Sequence, residues 1–295
     1  MDDMNSDYFE RDAIQIGGLA RAILKDGVSG TVLGSTSMGL FLTTGQKILF
    51  LTSADYKSPF NIQIFSLNHL SDQIIVGDKW HFHQDRLIFS SANSGVSVDN
   101  TEIWQPSPLP KVESSLLVQQ ARMDALLQRI LALDPGKGWL FLASQSDQAY
   151  ESEANIILGL TSRFLECVND SDLDGALKSG RSILGRGGGL TPSGDDWLSG
   201  FLLYHARMNN ASAFIRDLGN ALTVMAFEST TMISANRIEA ACEGWSEEMF
   251  LKIIDSLLIT DAEISDEKIE RLVRFGHSSG VDTCVGIYAA LKVIS

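Results

Sequence analysis

The chain has 295 residues, 44% hydrophobic and 20% charged, ordinary proportions for a soluble globular protein with room for two cores. Its formal net charge of −14 argues against nucleic acid and anionic membrane surfaces as partners. The three cysteines, Cys167, Cys242 and Cys284, are odd in number and far apart, so they read as reduced packing residues and not as a disulfide framework or zinc site.

The start, Met1-Asp2-Asp3-Met4-Asn5, is acidic and polar, which is not the pattern of a signal peptide. No apolar run approaches the roughly 20 residues of a membrane span. The expectation is a soluble, cytoplasmic protein with no membrane partner.

Apolar residues between Asp12 and Lys25 recur at mostly helical spacing, weakened by Gly17-Gly18 and closed by Asp26-Gly27. From Val28 to Trp104 short β-branched runs alternate with turn residues. Candidate strands are Gly30–Gly34, Leu40–Thr43, Lys47–Thr52, Asn61–Ser66, Gln73–Val76, Leu87–Ser90 and Ser97–Trp104. Many short strands at this spacing predict a small β-barrel or sandwich. His81 and His83 share a face if that stretch is a strand, but no third ligand adjoins them, so a metal is not expected there.

Pro106, Pro108 and Pro110 interrupt any helix or central strand and make a stiff connector. The expected domains are 1–105, mostly β with an N-terminal helix, a connector over 106–111, and a helical domain over 112–295. Helices are expected over Glu113–Leu133, Ser152–Cys167, Leu173–Leu184 (capped by Ser171), Asp195–Met208, Ala211–Ala226, Ser246–Leu258, Asp266–Phe275 and Gly280–Ile294. Trp139–Ala143 is a short apolar run, helix or strand, and Gly276 stops the Asp266 helix. The fold class is therefore α+β: a β-barrel or sandwich followed by an all-α domain.

Within the helical part, Gly185 to Gly200 reads Gly-Arg-Gly-Gly-Gly-Leu-Thr-Pro-Ser-Gly-Asp-Asp-Trp-Leu-Ser-Gly. Glycines let backbone N–H groups approach a ligand, and a helix starting next points further N–H groups at the same place. That makes an anion pocket with Asp195 and Asp196 at its lip. No Gly-Lys-Ser/Thr follows, and the spacing is not a dinucleotide fingerprint. The plainer reading is a capping box of Ser193 and Asp196, in which Asp195 has no structural duty. A second cluster, Gly276-His277-Ser278-Ser279-Gly280-Val281-Asp282, repeats the pattern Ser-Gly-x-Asp-(three residues)-Gly. Two helix N-termini of one design suit a two-walled anion site. Gly276 to Gly280 also satisfies Gly-x-Ser-x-Gly, but a helix precedes it and no histidine follows Ser278, against a hydrolase elbow. Between the clusters, Thr230, Thr231 and Ser234 share a face if that segment is helical, and can donate to an oxyanion or merely back-bond.

These three clusters, Gly185 to Asp196, Thr230 to Ser234 and Gly276 to Asp282, resemble proteins related to the third subunit of oxamate carbamoyltransferase. The resemblance lies in the helical part; the β half is similar only in texture. One departure is Gly188, where that family usually has proline. The resemblance implies interconversion of oxalurate plus phosphate with oxamate plus carbamoyl phosphate, in anaerobic allantoin breakdown, together with other enzyme subunits. Small anionic substrates suit helix N-termini, and carbamoyl transfer needs stabilised oxyanion charge. Arg186, Gly187, Gly188, Gly189 and Thr191 are candidates for that, with Ser193, Asp196, Thr230, Thr231, Ser234, Ser278 and Ser279 as further substrate contacts. Asp195, His277 and Asp282 are the catalytic candidates. His277 is the best acid/base, and Asp195 can orient the attacking nitrogen, act as base or hold Mg²⁺, the one cofactor suggested. Three classes stay open: a carbamoyltransferase-like subunit, a non-catalytic anion-sensing partner, and a stand-alone metal-assisted hydrolase or ligase.

Overall fold

The computed structural model describes residues 9–68, 70, 72–92, 94–134, 136–143, 152–208, 212–259 and 264–293. The chain divides into two compact units, Met1–Pro106 and Ser107–Ser295.

The first unit is a closed β-barrel. Its elements are β1 (Phe9–Gly17), α1 (Gly18–Ile23), β2 (Ser29–Thr36), β3 (Gly39–Thr44), β4 (Lys47–Thr52), β5 (Asn61–Ile64), β6 (Lys79–His83), β7 (Arg86–Phe89), β8 (Ser94–Ser97) and β9 (Glu102–Trp104). Eight of the nine strands form a ring, β1-β5-β4-β3-β2-β6-β7-β8, that returns to β1. One strand closes it. The first half of β1 runs parallel to β8 (Phe9–Asp12 against Ser94–Ser97), and its second half pairs antiparallel with β5 (Ala13 against Ile64, Ile16 against Ile62). There β9 also joins it, with Gln15–Gly17 against Glu102–Trp104. Closure removes the open sheet edges of the eight ring strands, and β9 pairs with β1 alone.

Burial follows the pleat. On β6, Trp80 and Phe82 point inward while Lys79, His81 and His83 point out. The barrel core joins Ile16, Leu42, Leu49, Leu51, Ile62, Leu87 and Val96.

Three expectations fail here. Ser97–Trp104, expected as one strand, is only the end of β8 and then β9, with a turn at Asp99-Asn100 between them. The stretch from Asp12 is strand up to Gly17 and helical only over Gly18–Ile23. Its apolar spacing suits a helix, but backbone pairing to β5, β8 and β9 outweighs a short helical pattern interrupted by two glycines. Gln73–Val76 is no strand: the Gln73 and Ile74 N–H groups turn back to the Leu70 carbonyl, and the Ile75 N–H donates to Asp78 Oδ2. Conversely β6, which carries His81 and His83, was not among the expected strands. His83 Nδ1 lies 3.0 Å from Asp26 Oδ1.

The second unit is helical: α2 (Leu116–Leu133), a 3₁₀ turn (Leu140–Ala143), α3 (Ser152–Asn169), α4 (Leu173–Ile183), α5 (Ser193–Arg207), α6 (Ala213–Ser229), α7 (Met232–Cys242), α8 (Glu248–Leu258), α9 (Asp266–Arg274) and α10 (Ser279–Leu291). Helices α5 and α10 are buried along nearly their whole length, so they form the centre of the unit. Phe164 of α3 meets Trp197 and Phe201 of α5 edge-on, with ring centroids 5.5 and 5.2 Å apart. Ser171 does not cap α4: it has φ +55, and Asp172 is the cap, accepting the Gly175 N–H at 3.0 Å. The N-terminal segment of the unit is held by Arg207, 1% exposed, which donates to the Ser107 and Pro108 carbonyls and pairs with Asp255 at 3.0 Å. Among the described residues no helix is long and apolar enough to cross a membrane.

Candidate functional site

The repeated sequence pattern becomes a repeated structure. Helix α4 ends at Leu184 with Gly185 at φ +71, and α9 ends at Phe275 with Gly276 at φ +61, the left-handed stop expected of glycine. Each is followed by a buried helix whose second residue is a glycine. A side chain on Gly194 would strike the Ile183 carbonyl at the end of α4, and one on Gly280 the Leu272 carbonyl at the end of α9. Both glycines therefore let the new helix press against the end of the previous one.

Neither helix is capped as the capping-box reading expects. The N-cap residues are Pro192 and Ser278, without side-chain cap bonds, and Ser193 and Ser279 are already the first helical residues. The fixed φ of Pro192 suits the N-cap of α5 and releases the Ser193 hydroxyl from capping, while in α10 the cap position falls on Ser278 and Ser279 is already helical. They are used between the two clusters instead. Thr191 Oγ1 lies 2.7 Å from Ser279 Oγ, and Ser193 Oγ lies 3.5 Å from Ser278 Oγ.

Three carboxylates are buried beside these hydroxyls. Asp195, 1% exposed, accepts the Gly185 N–H at 2.7 Å and the Thr230 hydroxyl. Burial raises its pKa against those two bonds, Ser234 and Arg237. It thus has a structural duty, closing the glycine loop onto the α6–α7 junction. Asp196 is paired with Arg237, which also reaches Glu247 at 3.4 Å. Burial pushes its pKa up to about 7, opposed by Arg237 and Ser279 and assisted by the like charges of Asp282 and Glu247. Asp282 accepts the Trp139 N–H at 2.6 Å, and burial raises its pKa against that bond, the Ser193 and Ser278 hydroxyls and His277.

Thr230, Thr231 and Ser234 do not form one helical face. Thr230 is the C-cap of α6 and Thr231 the N-cap of α7, where its Oγ1 accepts the Ser234 N–H at 3.1 Å and donates to the Leu190 carbonyl at 2.6 Å. The break between two helices puts the hydroxyls to work on Asp195 and on the glycine loop.

A cavity of about 590 Å³ opens where the clusters meet. Gly188, Gly189, Ser193, His277 and Ser278 supply polar wall, Glu153 an acidic edge, and Trp139, Phe141 and Ile157 an apolar wall. Of the expected site residues, these first five line it. Arg186, Gly187, Thr191, Asp195, Asp196, Thr230, Thr231, Ser234, Ser279 and Asp282 are not in its wall, and several of them brace it from behind. Arg186 Nε turns back to the Ser182 carbonyl at 3.2 Å. Arg237, Glu247 and Gly138 were not anticipated. Gly138, at φ +53, leaves no room for a side chain against Asp282 Oδ1, yet nothing marks it in a one-dimensional pattern. Among the described residues no group of three or more His, Cys, Asp or Glu is placed to hold a metal ion.

Residues 183–291 match the family described as oxamate carbamoyltransferase subunit AllH. This relates the chain to the third subunit of that enzyme through the stretch that carries α5, α7 and α10. No solved structure matches the chain.

Proposed function

We propose that the helical unit is the substrate-binding part of a carbamoyltransferase-like subunit and takes small anions such as phosphate, carbamoyl phosphate, oxamate or oxalurate. The observation that carries this is the meeting of two helix N-termini, the Gly188 and Gly189 backbone and the His277 imidazole on one cavity. Transfer of a carbamoyl group to oxamate requires the attacking nitrogen to lose a proton and the departing phosphate oxygens to be stabilised. His277 is the acid/base candidate in the wall, and loop and helix N–H groups are the donors for developing oxyanion charge. Asp195 supports the loop that presents those donors. Mg²⁺ at Asp195 would have to displace the Gly185 N–H and Thr230 hydroxyl bonds, so Asp195 is assigned no metal.

The test is co-purification with the proteins encoded beside it, followed by conversion of oxamate and carbamoyl phosphate to oxalurate and phosphate. Turnover with partners that falls at least about 10²-fold in His277→Ala is expected for a general acid/base. Ligand-induced stabilisation without turnover in any combination would support an anion-sensing subunit instead, and turnover by the chain alone a stand-alone enzyme. Absence of any shift with phosphate, oxamate and carbamoyl phosphate would remove the site.

A further inference from the structure

The two walls of the cavity come from different parts of the helical unit. The glycine loop and the starts of α5 and α10 build the polar wall, and residues 139–143 with the first turns of α3 build the apolar one. The apolar wall is fixed in place. The Trp139 N–H donates to Asp282 Oδ1 at 2.6 Å, which ties the segment to the first turn of α10. Gly138, at φ +53, makes the turn before it where a side chain would strike that carboxylate. Leu140 is 0% exposed and anchors the 3₁₀ turn in the core, whereas Phe141 next to it and Ala154 on α3 stay half-buried. Both line the cavity, so apolar surface is held open beside the polar wall instead of being packed away.

At about 590 Å³ the cavity falls within the roughly 300–1,000 Å³ of pockets that enclose a drug-sized organic ligand. Phosphate or oxamate fills a small part of that volume and leaves the apolar wall in water. A ligand that covers the wall as well gains affinity in proportion to the apolar area removed from water. Trp and Phe in that wall favour a ring, because aromatic pairs add edge or offset contacts to the area term.

We infer that the cavity takes an organic anion carrying a ring-sized apolar group, an aryl phosphate or aryl carboxylate. The anionic end meets the Gly188 and Gly189 backbone, and the ring lies on Trp139, Phe141 and Ile157. The anionic end rests on the small-anion reading above; the apolar end goes beyond it.

Two pairs of probes keep the charged group constant and change only the substituent: methyl phosphate against phenyl phosphate, and acetate against benzoate. Calorimetry on the full chain gives the Kd and the stoichiometry of each, and the two pairs separate a phosphate from a carboxylate ligand. In at least one pair wild type is expected to favour the ring by about tenfold or more, the order for burying a side chain of phenyl size. Phe141→Ser removes part of the wall, and Ala154→Leu fills the space beside it. Each is expected to bring that ratio towards one while the small member of the pair binds as in wild type. Equal affinities within both pairs, or an unchanged ratio in either folded variant, overturns the inference and leaves the anion site standing. Two equivalents of methyl phosphate with no preference for the phenyl ester also overturns it, since the volume then serves two small anions. Failure of all four probes, and of inorganic phosphate and oxamate beside them, overturns the anion site and the inference together. Should Phe141→Ser not fold, Ala154→Leu decides alone.

Discussion

Gly200 and Gly286 each stand where the backbone of the other's helix passes. A side chain on Gly200 would fall on the Thr283 carbonyl, and one on Gly286 on the Trp197 carbonyl. The reciprocity makes α5 and α10 a close-packed pair about a local two-fold relation, and it holds their N-termini side by side.

Gly200→Ala and Gly286→Ala are therefore expected to destabilise the protein by about 1–3 kcal/mol or more through overpacking. The helix-propensity gain of roughly 1 kcal/mol does not offset a collision with backbone. Gly159→Ala in α3, where the added carbon meets nothing, is expected to gain about 0.5–1 kcal/mol. Urea denaturation of the three variants checks this, and a Gly200→Ala midpoint at or above wild type would refute the contact.

Asp195→Asn is expected to cost about 1–3 kcal/mol, the range for disturbing a buried hydrogen-bonded group. The capping-box reading expects a free surface carboxylate and no such loss. Thr230→Val, which removes one of the two bonds, should show a smaller loss in the same melts. A change within about 0.5 kcal/mol for Asp195→Asn, as at an isolated surface position, would mean that the bonds to Gly185 and Thr230 contribute nothing.

Two buried groups give opposite pH dependences. Burial lowers His205 to about 4 from 6.5, so the unfolded chain binds the proton more readily. Its contribution is present above pH 6.5 and is lost as pH falls towards 4, by an order of about 3 kcal/mol. Asp196 is raised from 3.8 to about 7, so its contribution is present below 3.8 and is lost as pH rises through 7. His205→Phe should flatten the acid side of the stability profile, and Asp196→Asn the neutral side. Parallel profiles in wild type and both variants would count against these assignments.

Arg207→Met leaves the Ser107 and Pro108 carbonyls without their donor and Asp255, 21% exposed, without its cation. The expected loss lies towards the lower end of about 3–5 kcal/mol, since Asp255 keeps some access to water. Asp255→Asn gives a second reading of the same pair. A midpoint unchanged in both would show that the segment after Pro106 is held by other contacts.

The sequence by itself determined most elements and the repeated design. Lys47–Thr52 is strand from residue to residue, the apolar periodicity of Glu113–Leu133 and Ser152–Cys167 became α2 and α3, and Gly276 stops its helix. These signals are local: side-chain pattern and backbone preference act within a few residues. The relation of Ser193, Gly194, Asp196 and Gly200 to Ser279, Gly280, Asp282 and Gly286 was also legible, because spacing alone records it. Only the tertiary structure decided that β1 is a strand, since three partner strands complete its hydrogen bonds. Only the fold decided that Pro192 and not Ser193 is the N-cap of α5, that Asp195 is bound to Gly185 and Thr230, and that Arg237 neutralises Asp196 and not Asp282. A carboxylate's role depends on which donors, charges and how much water surround it, and those are brought by residues far away in the chain.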